Sequence, residues 1–144
     1  MTSIKDLEPC RYFAVECEAL TAVGWLGKEA TFETGSVSKQ LFHKLKELCS
    51  TPWQPIASAG FHLCELCQFD APACSDNIFV PHQGKIYVSP VAILHYISAH
   101  WYRPPPIFID AVLTCPPIDS IDYKKAVLAN GGRSLVNRRL NILP

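Results

Sequence analysis

The stretch from Gly60 to Arg103, GFHLCELCQFDAPACSDNIFVPHQGKIYVSPVAILHYISAHWYR, constrains this chain more than any other. It holds the only close cysteine pair, Cys64-x-x-Cys67, and four of the five histidines: His62, His82, His95 and His100. Two intervening residues let both sulfurs of such a pair point inward from one tight turn. Zinc takes four ligands in a tetrahedron and favours Cys sulfur and His nitrogen. The stretch therefore reads as a zinc module: a knuckle carrying two thiolates, a β-hairpin, and a helix that returns imidazole to the metal.

The expected ligand set is Cys64, Cys67, His95 and His100, with Zn2+ as the cofactor. The x4 spacing of His95 and His100 lies within the range of zinc-finger histidines. Residues five apart on an ideal helix nevertheless point about 140° apart. The two rings can meet one metal only if the helix loosens before His100, and the coming Pro104 favours that. Three other residues compete: His62 in His62-x-Cys-x-x-Cys67, His82 in the hairpin turn, and Cys74 in the following loop. His43 is expected on an exposed helix face.

The rest of the chain alternates strand and helix signals. Met1–Pro9 reads as a loose lead-in. Arg11–Cys17 and Leu20–Leu26 read as paired strands, with Gly24 marking a bulge or a close backbone approach. Thr31–Thr34 is a further short strand. A helix is expected over Ser38–Cys49, capped by Ser36 or Ser38, with Leu41, Leu45, Leu48 and Cys49 on one stripe. Trp53 is expected to plug the core. Ile78–Val80 and Lys85–Val88 flank a Pro81–Gly84 turn. Ser89-Pro90 has the form of a helix start, Ser as cap and Pro at the first position, for a helix over Val91–Ala99. Pro104–Pro106 make a stiff corner. Two helices follow, Ile107–Thr114 and Ile121–Asn130; Asp119 or Ser120 caps the second and Gly131-Gly132 closes it. The fold class is α+β: a small antiparallel sheet and hairpins with about four helices, braced by one zinc site. Residues 1–144 are expected to form a single domain, with the zinc module at about 60–103.

Charge and cysteine usage narrow the function. The 144 residues carry zero net charge. That balance argues against nucleic-acid binding, which needs a basic excess to displace counterions. No apolar run approaches the ~20 residues of a membrane helix, so no membrane partner is expected. MTSIKDLEPCRY lacks a signal-peptide core, and seven irregularly spaced cysteines make a poor disulfide framework. A cytoplasmic location follows, with Cys17, Cys49 and Cys115 as small core residues.

Enzyme signatures are weak. Zinc deaminases need His-x-Glu with a later Pro-Cys-x-x-Cys, and no His-x-Glu exists here. Thioredoxin-like enzymes place Cys-x-x-Cys at a helix N-terminus; Gln-Phe-Asp-Ala-Pro after Cys67 starts no long helix. His82 with His95 or His100 has only a loose likeness to a ββα nuclease. No P-loop or Gly-x-Ser-x-Gly is present.

The set GWLG at Gly24, TG at Thr34, PW at Pro52, HLCELC at His62, YVSP at Tyr87 and HYISAHWYRPPP at His95 resembles a small uncharacterised family of bacterial proteins. The resemblance spans roughly Tyr12 to Arg133. It brings no activity, substrate or catalytic residue with it. The layout of knuckle, hairpin and helix is similar to a treble clef at the level of architecture.

Together these features predict a non-enzymatic cytosolic domain with a structural zinc. It would be a protein-binding or regulatory module with an unknown protein partner, and Trp101-Tyr102-Arg103 with Pro104–Pro106 is a candidate contact surface. The alternative is a zinc-dependent hydrolase or nuclease with an open zinc position. Counting ligands separates the two.

Overall fold

A computed structural model describes residues 3–136 apart from 14, 16, 57–60 and 70. The fold is α+β, with two small sheets and five helices among the described residues.

The hairpin of β4 (Asn77–His82) and β5 (Lys85–Pro90) sits at the centre. Their apolar residues Ile78, Phe79, Val80, Ile86, Tyr87 and Val88 are all buried, as expected of strands covered on both faces. The turn is only Gln83-Gly84, both at positive φ (46° and 82°), the signature of a primed two-residue turn. Pro81 and His82 therefore lie on the strand and not in the turn. Gly84 N–H donates to Asn130 Oδ1 (2.6 Å), which ties the tip to the end of a later helix.

β4 is an edge strand, which is why Pro81 is tolerated in it. Side chains cover that edge: Gln54 Nε2 donates to Asn77 O (2.9 Å) and the Tyr123 hydroxyl to Phe79 O (2.5 Å). Trp53 packs against the rings of Phe79 and Tyr123, in the plugging role expected of it.

On the other side β5 pairs with β1 (Leu20–Ala22) in parallel, Leu20 opposite Ile86. Among the described residues, the antiparallel pair of Arg11–Cys17 with Leu20–Leu26 expected from the sequence is not formed. Parallel strands need a long crossover, and the chain between β1 and β5 supplies it. None of the described residues of Arg11–Cys17 is in a strand, and two residues of that span lie outside the described set. Nor are the first residues a loose lead-in. Leu7 and Cys10 N–H donate to Ala22 O and Leu20 O (2.8 and 2.9 Å), and Ala22 N–H donates to Glu8 O (2.8 Å). Residues 4–10 thus close the remaining edge of β1.

Helix α1 (Lys39–Ser50) starts where Ser38 Oγ accepts from Leu41 N–H (3.1 Å) and buries Leu41, Leu45 and Leu48. Cys49 is half-buried beside that stripe. Helix α2 (Ile93–His100) begins later than expected. Ser89 and Pro90 end β5 instead, paired with Ile78 and Asn77. Ser89 is fully buried, and the register of the hairpin overrides its capping tendency. Helix α3 (Pro106–Thr114) takes Pro106 in its first turn, where a missing N–H costs nothing. Helix α4 (Ile121–Ala129) is capped by Ser120, and a one-turn α5 (Arg133–Val136) follows Gly131 at φ +93°. That short helix takes the count to five, one more than expected.

The second sheet has two short strands, β2 (His62–Leu63) and β3 (Ala73–Cys74), antiparallel. β3 arises inside what the sequence presents as a polar loop. Among the described residues, no helix is long and apolar enough to cross a membrane.

Candidate metal centre

β2 sets the first half of the site. Alternation along the strand turns His62 inward and leaves Leu63 outward. The chain then enters the Cys64–Cys67 turn, closed behind it by Cys64 N–H donating to Pro72 O (3.0 Å). Glu65 leans away from the sulfurs: its Oε1 accepts from Lys28 N–H (3.2 Å). This anchors the turn to the GWLG loop. A Cβ on Gly27 would lie 2.8 Å from the Ser3 side chain and 3.2 Å from Glu65 Oε1, so glycine lets the two approach without either side chain moving.

Helix α2 supplies the second half, and its last turn is not α-helical in pitch. Trp101 N–H reaches back five residues to Tyr96 O, and Tyr102 N–H reaches back six to the same carbonyl (3.1 Å). Trp101 sits in the left-handed region (φ 57°). The turn that closes the helix at His100 is thus wider than a regular α turn, and the two rings meet with their Nε2 atoms 3.2 Å apart. His95 and His100 consequently face the same way.

The four side chains converge. Cys67 Sγ is 3.0 Å from His95 Nε2 and 3.4 Å from His100 Nε2. Cys64 Sγ is 3.5 Å from His100 Nε2, and the two Nε2 atoms are 3.2 Å apart. All four ligand atoms lie within 4.8 Å of one another, a group that could hold a metal ion. Desolvation, then the neighbouring His100, pushes the His95 ring below its ordinary value. The shift favours the neutral ring, the form that ligates a metal.

The three competing residues lie elsewhere. His62 is buried against two rings, edge-on to Trp25 (5.6 Å between centroids) and to Tyr96 (5.8 Å). Its Nε2 hydrogen-bonds with the Tyr96 hydroxyl. That hydroxyl also reaches Leu26 O (3.4 Å). Burial pushes the His62 ring below its ordinary value, against a smaller opposing pull from Glu65. Cys74 lies across the ladder from His62 on β3, where burial pushes its thiol up. His82 ends β4, opposite Lys85. None of the three is in the four-residue group.

Sequence reasoning passed over Tyr96 and Glu65, which hold the two halves in place. Tyr96 was detectable in principle, since it stands beside His95 on a helix with a buried face.

The fold and site define an α+β protein with a Cys2His2 cluster able to hold a metal ion. The chain belongs to a family described as a domain of unknown function (DUF7919), whose model matches residues 2–113. That range takes in all four cluster residues and ends within α3. It starts and stops earlier than the Tyr12–Arg133 span that the sequence motifs suggest. No curated protein and no solved structure matches the chain.

Proposed function

We propose that Cys64, Cys67, His95 and His100 hold one structural zinc ion in a non-enzymatic, cytosolic, protein-binding module. One observation carries this reading: the spacing of the four donors. With Zn–S of about 2.3 Å and Zn–N of about 2.0 Å, a tetrahedron has S–N edges of about 3.5 Å and an N–N edge of about 3.3 Å. The sulfur–nitrogen distances of 3.4 and 3.5 Å and the nitrogen–nitrogen distance of 3.2 Å match those edges, while Cys67 Sγ to His95 Nε2 is shorter at 3.0 Å. Four protein donors close the coordination shell and leave no place for a reacting water. The nearest carboxylate in the sequence, Glu65, is bound to Lys28 N–H and is not poised as a base.

The surface supports a binding role. The exposed aromatic side chains among the largest apolar residues are Phe61 (72%), Phe69 (76%) and Trp101 (65%). Each lies within three residues of a cluster residue, and exposed Leu63 joins them on β2. Aromatic side chains left in water around a rigid site are favoured interface anchors. Of the corner expected as a contact surface, Trp101 is available, whereas Tyr102 is fully buried.

Zinc content and melting curves test this reading side by side for Cys64→Ser, His95→Ala, His100→Ala and His82→Ala. The first three should lose zinc and melt roughly 10 °C lower or more, because metal-binding energy is folding energy. His82→Ala should match the parent. Zinc kept at full stability in Cys64→Ser would refute the site.

A further inference from the structure

We propose that Cys67 is an oxidant-reactive thiolate and Cys64 its resolving partner, so that hydrogen peroxide converts the pair to a disulfide and releases the metal. This rests on the zinc reading above. The two sulfurs are not equivalent. Cys64 is only 1% exposed, whereas Cys67 is half-buried and open to solvent. Sulfurs of closed metal sites are commonly protected by burial and by backbone N–H donors. Cys67 Sγ lies against His95 Nε2 and His100 Nε2, with Cys64 beside it. Of the two sulfurs it is therefore the one that a small oxidant in solvent can reach.

The chemistry balances with one peroxide. The Cys67 thiolate attacks a peroxide oxygen, the O–O bond breaks, and hydroxide leaves, giving a sulfenic acid. The Cys64 thiolate then attacks that sulfur; the S–S bond forms, the S–O bond breaks, and a second hydroxide leaves. Two protons from solvent turn both hydroxides into water. The two thiolates together supply the two electrons that reduce the peroxide. Closing the bond needs little motion, since all the ligand atoms already lie within 4.8 Å of one another. The metal is left with two imidazoles and dissociates.

The other tethers of this half are Glu65 to Lys28 N–H and His62 to Tyr96. They do not depend on the sulfurs, so oxidation should empty the site without unfolding the domain. Thioredoxin or another dithiol reductant, with zinc, would reverse it.

The test uses the full chain with zinc measured before treatment. Stoichiometric peroxide should release the zinc to a chromogenic chelator and lower the mass by about 2 Da, the two hydrogens of a dithiol. Peptide mapping should place the bond between Cys64 and Cys67. Dithiothreitol with added zinc should restore the starting state. In Cys64→Ser a sulfenic-acid trap should label Cys67, and in Cys67→Ser peroxide should label neither position. Zinc present at the start but retained under peroxide, or lost through oxidation at Cys17 or Cys74, overturns this inference and leaves the zinc reading standing. Absence of zinc from the untreated protein refutes both.

Discussion

The Tyr102 hydroxyl donates to Asp6 Oδ2 at 2.7 Å, joining the chain just past α2 to the N-terminal segment. Asp6 uses its other oxygen to accept from Gly24 N–H (2.9 Å). Burial, then the Asp6 charge, pushes the Tyr102 phenol well above its ordinary value, so it remains a donor at any working pH.

Asp6→Ala strands two donors at once, the Tyr102 hydroxyl and the Gly24 amide. Each unpaired buried group costs about 1–3 kcal/mol. Tyr102→Phe removes only one partner and leaves Asp6 Oδ2 near solvent. Urea unfolding should therefore show Asp6→Ala as the more damaging change. Equal losses would contradict the double role of Asp6.

His62→Ala should separate stability from metal binding. The variant loses the Tyr96 hydrogen bond and the contacts with Trp25, at a cost of roughly 2–4 kcal/mol. It keeps all four cluster residues, so it should still bind one zinc per chain. Zinc analysis and melting of the same sample read both quantities. Loss of zinc at unchanged stability would move His62 into the ligand set.

Gly24→Ala and Gly84→Ala share a left-handed backbone, φ +79° and +82°. That conformation alone costs about 1–2 kcal/mol for a residue with a Cβ. At Gly24 the new methyl would also meet Ser89 Oγ at 3.0 Å, while at Gly84 nothing lies within 4 Å. Gly24→Ala should unfold at clearly lower denaturant than Gly84→Ala.

Ser38→Ala should cost about 1 kcal/mol, because Leu41 N–H at the start of α1 loses its acceptor. Ser36→Ala, at the other candidate cap, should be nearly neutral. The reverse order in melting temperature would show that the helix starts elsewhere.

What the sequence revealed were features set by near neighbours. Leu41, Leu45 and Leu48 state the buried face of α1 by their spacing, and Ser120 states the start of α4. Cys64-x-x-Cys67 and the two helix histidines announced themselves by residue type, and the angular conflict between His95 and His100 pointed to a loosened turn. Long-range pairings stayed hidden. Nothing local to Leu20–Ala22 says that it lies parallel to Ile86–Val88, because the partner is chosen by the crossover between them. Ser89-Pro90 has every local mark of a helix start, yet hairpin register holds it in a strand. His62 looked like a ligand because of its neighbours in the chain; its inward orientation against Trp25 emerges only from the folded sheet.

The widened end of α2 has a mechanical consequence. Three successive residues leave it in three directions: His100 toward the cysteines, Trp101 into solvent, Tyr102 onto Asp6. The turn thus works as a lever with the Cys2His2 cluster at one arm and the N-terminal edge of the sheet at the other. A change in the turn at His100 is expected to carry to Tyr102, two residues on, and through it to Asp6. Slackening at the cysteine end should be felt as faster amide exchange at Leu7 and Cys10, whose N–H groups are held by β1 on the far side of the lever.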